Sequence, residues 1–146
     1  MKKMKNIWGS GAILIIVTSL LVTMAVSCKK SDSEKITFMG TYFGTLTMGF
    51  YSEADTIAIT AGSTSTAVVM TSQTEAGSTF TLNGTVDGTN LTIPEQSVYD
   101  SHLNETYTVS GTGTLDNQTG SLIINYKYVT SSSSIYYWQF NGIKII

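Results

Sequence analysis

Arginine is absent from this sequence, and cysteine, histidine and proline occur once each. Each shortage closes a class of function. Without a guanidinium group the chain lacks the planar fork that binds carboxylates and phosphates bidentately. All eight basic residues are lysines, and ten acids outnumber them. Nucleic-acid binding draws most of its affinity from cations set against phosphates, so no nucleic acid is expected as a partner. The lone cysteine, Cys28, rules out an intramolecular disulfide, leaving packing and sheet hydrogen bonds to hold the fold. One cysteine and one histidine, His102, cannot furnish a four-ligand zinc site. No metal and no cofactor is expected.

Residues 1–27 have the layout of an export leader. Lys2, Lys3 and Lys5 form a positive start, and Ile13–Val26 is an apolar run broken only by hydroxyls. The run ends in Ala25-Val26-Ser27-Cys28, which resembles the lipobox cut by the lipoprotein signal peptidase. That likeness makes Cys28 the lipidated N-terminus of the mature chain and the membrane its partner through the attached lipid. The alternative is an uncleaved transmembrane anchor, since about 18 apolar residues can span a bilayer. A leader of this kind forms a helix and addresses the protein to the cell envelope, anchored by lipid in the outer membrane on its periplasmic or surface side. Residues 28–37 read as the lipidated cysteine and a tether, because Lys29–Lys35 is charged and free of apolar side chains. Beyond Cys28, five lysines face all ten acids, leaving a formal charge of −5.

Residues 38–146 carry a different pattern. Tyr42, Gly44, Leu46, Met48 and Phe50 alternate with Thr41, Thr45 and Thr47. The same texture returns at Phe80, Leu82, Gly84 and Val86, and again at Tyr107, Val109, Gly111, Gly113 and Leu115. Period-2 alternation with threonine on the polar side predicts antiparallel strands with one buried face. Turn signals place about eight of them, near 41–51, 55–61, 65–72, 78–86, 89–93, 105–115, 120–129 and 134–145. Ser52-Glu53-Ala54 and Asp87-Gly88 read as turns, and Pro94–Glu105 reads as the longest irregular stretch. The expected fold is all-β, a single small antiparallel up-and-down β-barrel, with a two-sheet sandwich as the alternative.

Several segments carry a family likeness: Gly40–Thr47, Leu91-Thr92-Ile93-Pro94, Val109–Leu115 and Phe140-Asn141-Gly142-Ile143-Lys144. Together they resemble the calycin-like (lipocalin-like) β-barrel lipoproteins of Gram-negative bacteria. Lipocalins proper carry Gly-x-Trp on the first strand, braced by a basic residue near the last. Here Tyr42 stands on the first strand, the tryptophan is Trp138 on the last, and Lys144 is the basic candidate. The resemblance implies a barrel that encloses a small ligand.

Residues suited to catalysis are few. A nucleophilic triad needs a base beside the nucleophile, and His102 stands alone in a loop with no Gly-x-Ser-x-Gly elbow in the chain. No catalytic residue is assigned and the protein is not expected to be an enzyme. Asp100, His102 and Glu105 offer three ligand atoms from one loop, fewer than calcium sites recruit. The acids, Glu53 with Asp55 and Asp100 with Glu105 among them, read as solvated turn charges. Asp55-Thr56-Ile57 resembles an O-glycosylation site used by some Gram-negative bacteria, and the four Asn-x-Thr matches read as chance in a threonine-rich chain.

Aromatics crowd the last two strands, where Tyr136, Trp138 and Phe140 share one face and Tyr137 and Gln139 the other. Those three are the candidate ligand-binding residues, for an apolar or sugar-like molecule in or at the mouth of the barrel. A protein-interaction or structural module of a surface complex, or a loop-based inhibitor, is the competing expectation. An open interior separates the first from the second, which calls for a filled interior and an exposed aromatic stripe.

Overall fold

The computed structural model describes residues 38–100 and 102–145. The leader, its expected helix, Cys28 and the tether lie outside the described residues. Eight antiparallel strands follow one another in a closed barrel: β1 (Gly40–Met48), β2 (Tyr51–Ala61), β3 (Ala67–Thr74), β4 (Thr79–Asp87), β5 (Asn90–Asp100), β6 (Glu105–Asp116), β7 (Ser121–Val129) and β8 (Ile135–Ile145). The order around the barrel is the order in sequence, and β8 returns to pair with β1. The up-and-down barrel is the architecture formed, and the sandwich is not.

Alternation accounts for the core. In β4, Phe80, Leu82, Gly84 and Val86 point inward while Thr79, Thr81, Asn83, Thr85 and Asp87 face out. At the end holding the start of β1, Phe38, Tyr42, Ile59, Val68, Leu91 and Leu122 are buried together. The Tyr42 hydroxyl donates to the Phe38 carbonyl at 2.8 Å, so the segment before β1 is tied across this end. Lys144, the register partner of Tyr42, holds its ammonium 5.9 Å from the Tyr42 ring centre. This end is packed shut.

Closure of the ring depends on two glycines. Gly44 and Gly142 are directly opposed where β1 meets β8. A Cβ at Gly44 would run into the Asn141 carbonyl and the Gly142 Cα, and one at Gly142 would run into the Phe140 ring. The strands therefore approach as only a side-chain-free pair allows, and the Phe140 ring covers the gap from inside.

Three expectations need correction. The first hairpin turns at Gly49-Phe50, with Met48 opposite Tyr51, because Gly49 adopts a φ of +60°. Phe50 therefore sits on the turn fully exposed, not inward beside Leu46 and Met48. The same tight turn starts β2 at Tyr51, so Ser52-Glu53-Ala54 is strand and not turn. Lastly, β5 runs on through Pro94 to Asp100 and β6 starts at Glu105, so most of the expected irregular stretch is strand.

Pro94 is tolerated because the ladder slips there. Ile93 pairs with Gly111 but Gln96 pairs with Val109, one extra residue on β5, a bulge where a missing donor costs little. On its other side β5 pairs with β4 only from Asn90 to Thr92. Beyond that the Gln96 side chain substitutes for a strand. Its Oε1 accepts the Asn83 N–H at 2.9 Å and its Nε2 donates to the Asn83 carbonyl at 2.8 Å.

Gly44→Val should cost about 3 kcal/mol of unfolding free energy or more, since the clash is with backbone on the opposite strand. Thr45→Val, on the exposed outer face, should change it by less than about 0.5 kcal/mol. Denaturant titration of the two variants checks the contrast.

Candidate functional site

The barrel end opposite Phe38 is not filled. A cavity of about 470 Å³ opens there, bounded by the last turns of β1, β3, β5 and β7 and the first turns of β2, β4, β6 and β8. Leu46, Phe80 and Val98 form its apolar depth. The reason lies in the sequence: towards this end the inward positions change from Ile and Leu to Tyr, Glu, Asp and Thr, which do not interdigitate as branched aliphatic chains do.

An aromatic wall lines one side. Tyr128 is its centre, with edge-on contacts to Phe80 and Tyr107 at 6.1 Å each and to Trp138 at 6.5 Å between ring centres. Trp138 in turn meets Tyr51 edge-on at 5.5 Å. Such pairs contribute beyond their buried area and hold the rings in fixed orientations.

Four carboxylates stand at or beneath the mouth. Glu53, Asp100 and Glu105 line the cavity. Asp55, two residues on from Glu53 along β2, is only 1 % exposed. Its two oxygens each lie 2.9 Å from the Ser72 hydroxyl. Burial pushes the Asp55 carboxyl above its ordinary pKa against the lowering effect of the Ser72 bond. Asp100 accepts the His102 and Leu103 N–H groups at 2.8 and 3.2 Å, capping the turn into β6. Glu105 accepts the Tyr107 hydroxyl at 2.8 Å. Burial first, then the Glu105 hydrogen bond and charge, push Tyr107 up to about 12.

Three buried polar atoms on residues that line this space have no hydrogen-bond partner among the described residues: Glu53 Oε2, Thr74 Oγ1 and the Tyr128 hydroxyl. Thr74 is 6 % exposed. Neither Lys127 nor Lys144 lines the cavity, and His102, exposed at the rim, is its one nitrogen base. Among the described residues no group of three or more His, Cys, Asp or Glu is placed to hold a metal ion.

Of the three aromatic candidates, Tyr136 and Trp138 line the cavity, at its rim and on its wall. Phe140, one step deeper on the same face, is wholly buried and outside the lining. It belongs to the core that supports the site. Tyr137 and Gln139 face outward.

The acids correct the sequence reading most. Asp55 and Asp100 are buried and not solvated turn charges. The signal was present in the alternation itself, since Glu53 and Asp55 continue the inward series of Ile57 and Ile59. Reading Ser52-Glu53-Ala54 as a turn hid it. In Asp55-Thr56-Ile57 the acid consequently points into the barrel.

Asp55 makes stability pH-dependent. Its folded pKa lies above its unfolded one, so its neutral form stabilises the fold below the unfolded value, near 3.8, and this contribution is lost as pH rises through the folded value. Asp55→Asn should therefore gain stability over the parent protein as pH rises from 4 to 7. Thermal melts of both proteins across that range should diverge; parallel curves would contradict the assignment.

No family model matches the chain, and no curated protein does. Among solved structures, a redesigned β-barrel is similar with a TM-score of 0.54 at 15% identity, covering 77% of this chain and 96% of that one. A de novo designed fluorescence-activating β-barrel is similar with a TM-score of 0.53 at 13% identity, covering 78% and 98% respectively. At these identities the likeness is one of fold, a small closed β-barrel.

Proposed function

We propose that this chain is a non-enzymatic, lipid-anchored envelope protein that takes a small ligand into the open end of its barrel. The cavity carries the reading. It is walled by rings held edge to edge, closed at its far end and provided with a few unpartnered polar atoms, the usual make-up of a small-molecule site. Tyr136 and Trp138 of β8 line that space, which favours a ligand over a docking partner. The designed fluorescence-activating β-barrel is a neighbour in fold alone.

The calycin-like resemblance belongs to the same proposal. The Tyr42–Lys144 contact at the closed end stands where lipocalins set a tryptophan against a basic residue. The anchor is consistent with the geometry. Phe38 lies at the closed end, and the ten residues from 28 to 37 reach at most about 35 Å.

Two measurements on one preparation test this. Cells fed an alkynyl palmitate analogue should label the protein, and Cys28→Ser should abolish the label. Native mass spectrometry of protein extracted from those membranes should show a non-covalent small-molecule adduct that disappears on unfolding. Trp138→Leu should reduce the adduct by about fivefold, equivalent to about 1 kcal/mol of lost ring contact. An unlabelled cysteine would defeat the anchor, and an adduct insensitive to Trp138 would defeat the site.

A further inference from the structure

We propose that the open end of the barrel is selective for an organic cation, an alkyl- or quaternary-ammonium group, with Glu53 as its counter-charge and Tyr51, Tyr107, Tyr128 and Trp138 as its aromatic surround. This rests on the ligand-binding reading and adds the chemical class. Three features of the site converge on it.

The first is the unpartnered carboxylate oxygen. Glu53 Oε2 is buried without a hydrogen bond among the described residues, an arrangement that costs free energy until a donor or a cation arrives. Asp100 and Glu105 already bond within the protein, to the turn amides and to Tyr107. Among the described residues Glu53 is the lining carboxylate whose unpartnered oxygen is buried, and Asp100 and Glu105 add negative potential around it. An anionic ligand would meet three lining carboxyl groups and no lysine.

Aromatic composition is the second. Trp and Tyr rings attract cations to their faces, by about 2 kcal/mol or more once water is displaced. The series Tyr51, Trp138, Tyr128, Tyr107 puts four such rings in consecutive contact around one cavity. A neutral apolar ligand would gain from the rings but leave Glu53 unsatisfied. An inorganic divalent ion finds no cluster of three ligating side chains among the described residues.

Thr74 is the third. It is almost fully buried, lines the cavity, and its hydroxyl has no partner. With the Tyr128 hydroxyl, also unpartnered, it offers a hydrogen bond to a hydroxyl or carbonyl carried near the cationic head.

Choline and 3,3-dimethyl-1-butanol test the inference, because they share shape and differ in the charge of one atom. Titrated into the full-length protein and followed by calorimetry, choline should bind at least about tenfold tighter. That preference should vanish in Glu53→Gln and persist in Lys144→Gln, whose substitution lies at the closed end. Equal affinity of the two probes for the parent protein would overturn the cation selectivity while leaving a ligand cavity. Binding of neither, together with no adduct in native mass spectra, would overturn the ligand reading as well. The comparison on the parent protein decides the matter even if Glu53→Gln fails to fold.

Discussion

The ring closes at one place, where β1 and β8, the first and last strands of the sheet, come together at Gly44 and Gly142. Every other neighbour pair is joined by a short connection and pays little loop-closure entropy. This pair must be brought together across the whole domain, and it can approach only because both opposed residues lack side chains. Closure leaves no free sheet edge, so a chain with no intramolecular disulfide to brace it does not expose an unpaired strand to its neighbours. The inward faces of all eight strands are also forced to share one interior, and everything about the site follows from how that interior is filled.

It is filled unevenly. At the end where the described chain begins, Phe38, Tyr42 and the branched residues of β2, β3, β5 and β7 pack without space. At the other end the inward series turns polar and aromatic, and buried carboxylates appear with no lysine beside them. Such groups cost stability in a domain with little to spare. A structure built for stability alone would carry leucine at Glu53 and Asp55. Their presence sets this end apart as the candidate site, because local rules of burial are broken there.

The bulge on β5 serves the same division. Slippage at Pro94 and Glu95 moves the inward set from Leu91 and Ile93 to Val98 and Asp100. One extra residue thus brings an acid to the mouth that strict alternation would have turned outward. The strand then drifts from β4, and the Gln96 amide bridges the opening by bonding both backbone groups of Asn83. Neither device has a period, so neither is visible as a pattern along the chain.

What the sequence determined by itself was whatever depends on neighbours along the chain. Alternation with threonine outward specified antiparallel strands, their approximate number and the inward residues of β4 and β6, because side-chain direction in a strand reverses at every residue. It also put Tyr136, Trp138 and Phe140 on one face. Only the tertiary structure decided which of them line the cavity, since depth along the barrel axis separates Trp138 on the wall from Phe140 in the core. The roles of Glu53, Asp55, Thr74 and Asp100 were likewise settled by pairing between strands. Burial of a charge and the absence of a partner are properties of what surrounds an atom in space, and a linear chain does not contain them.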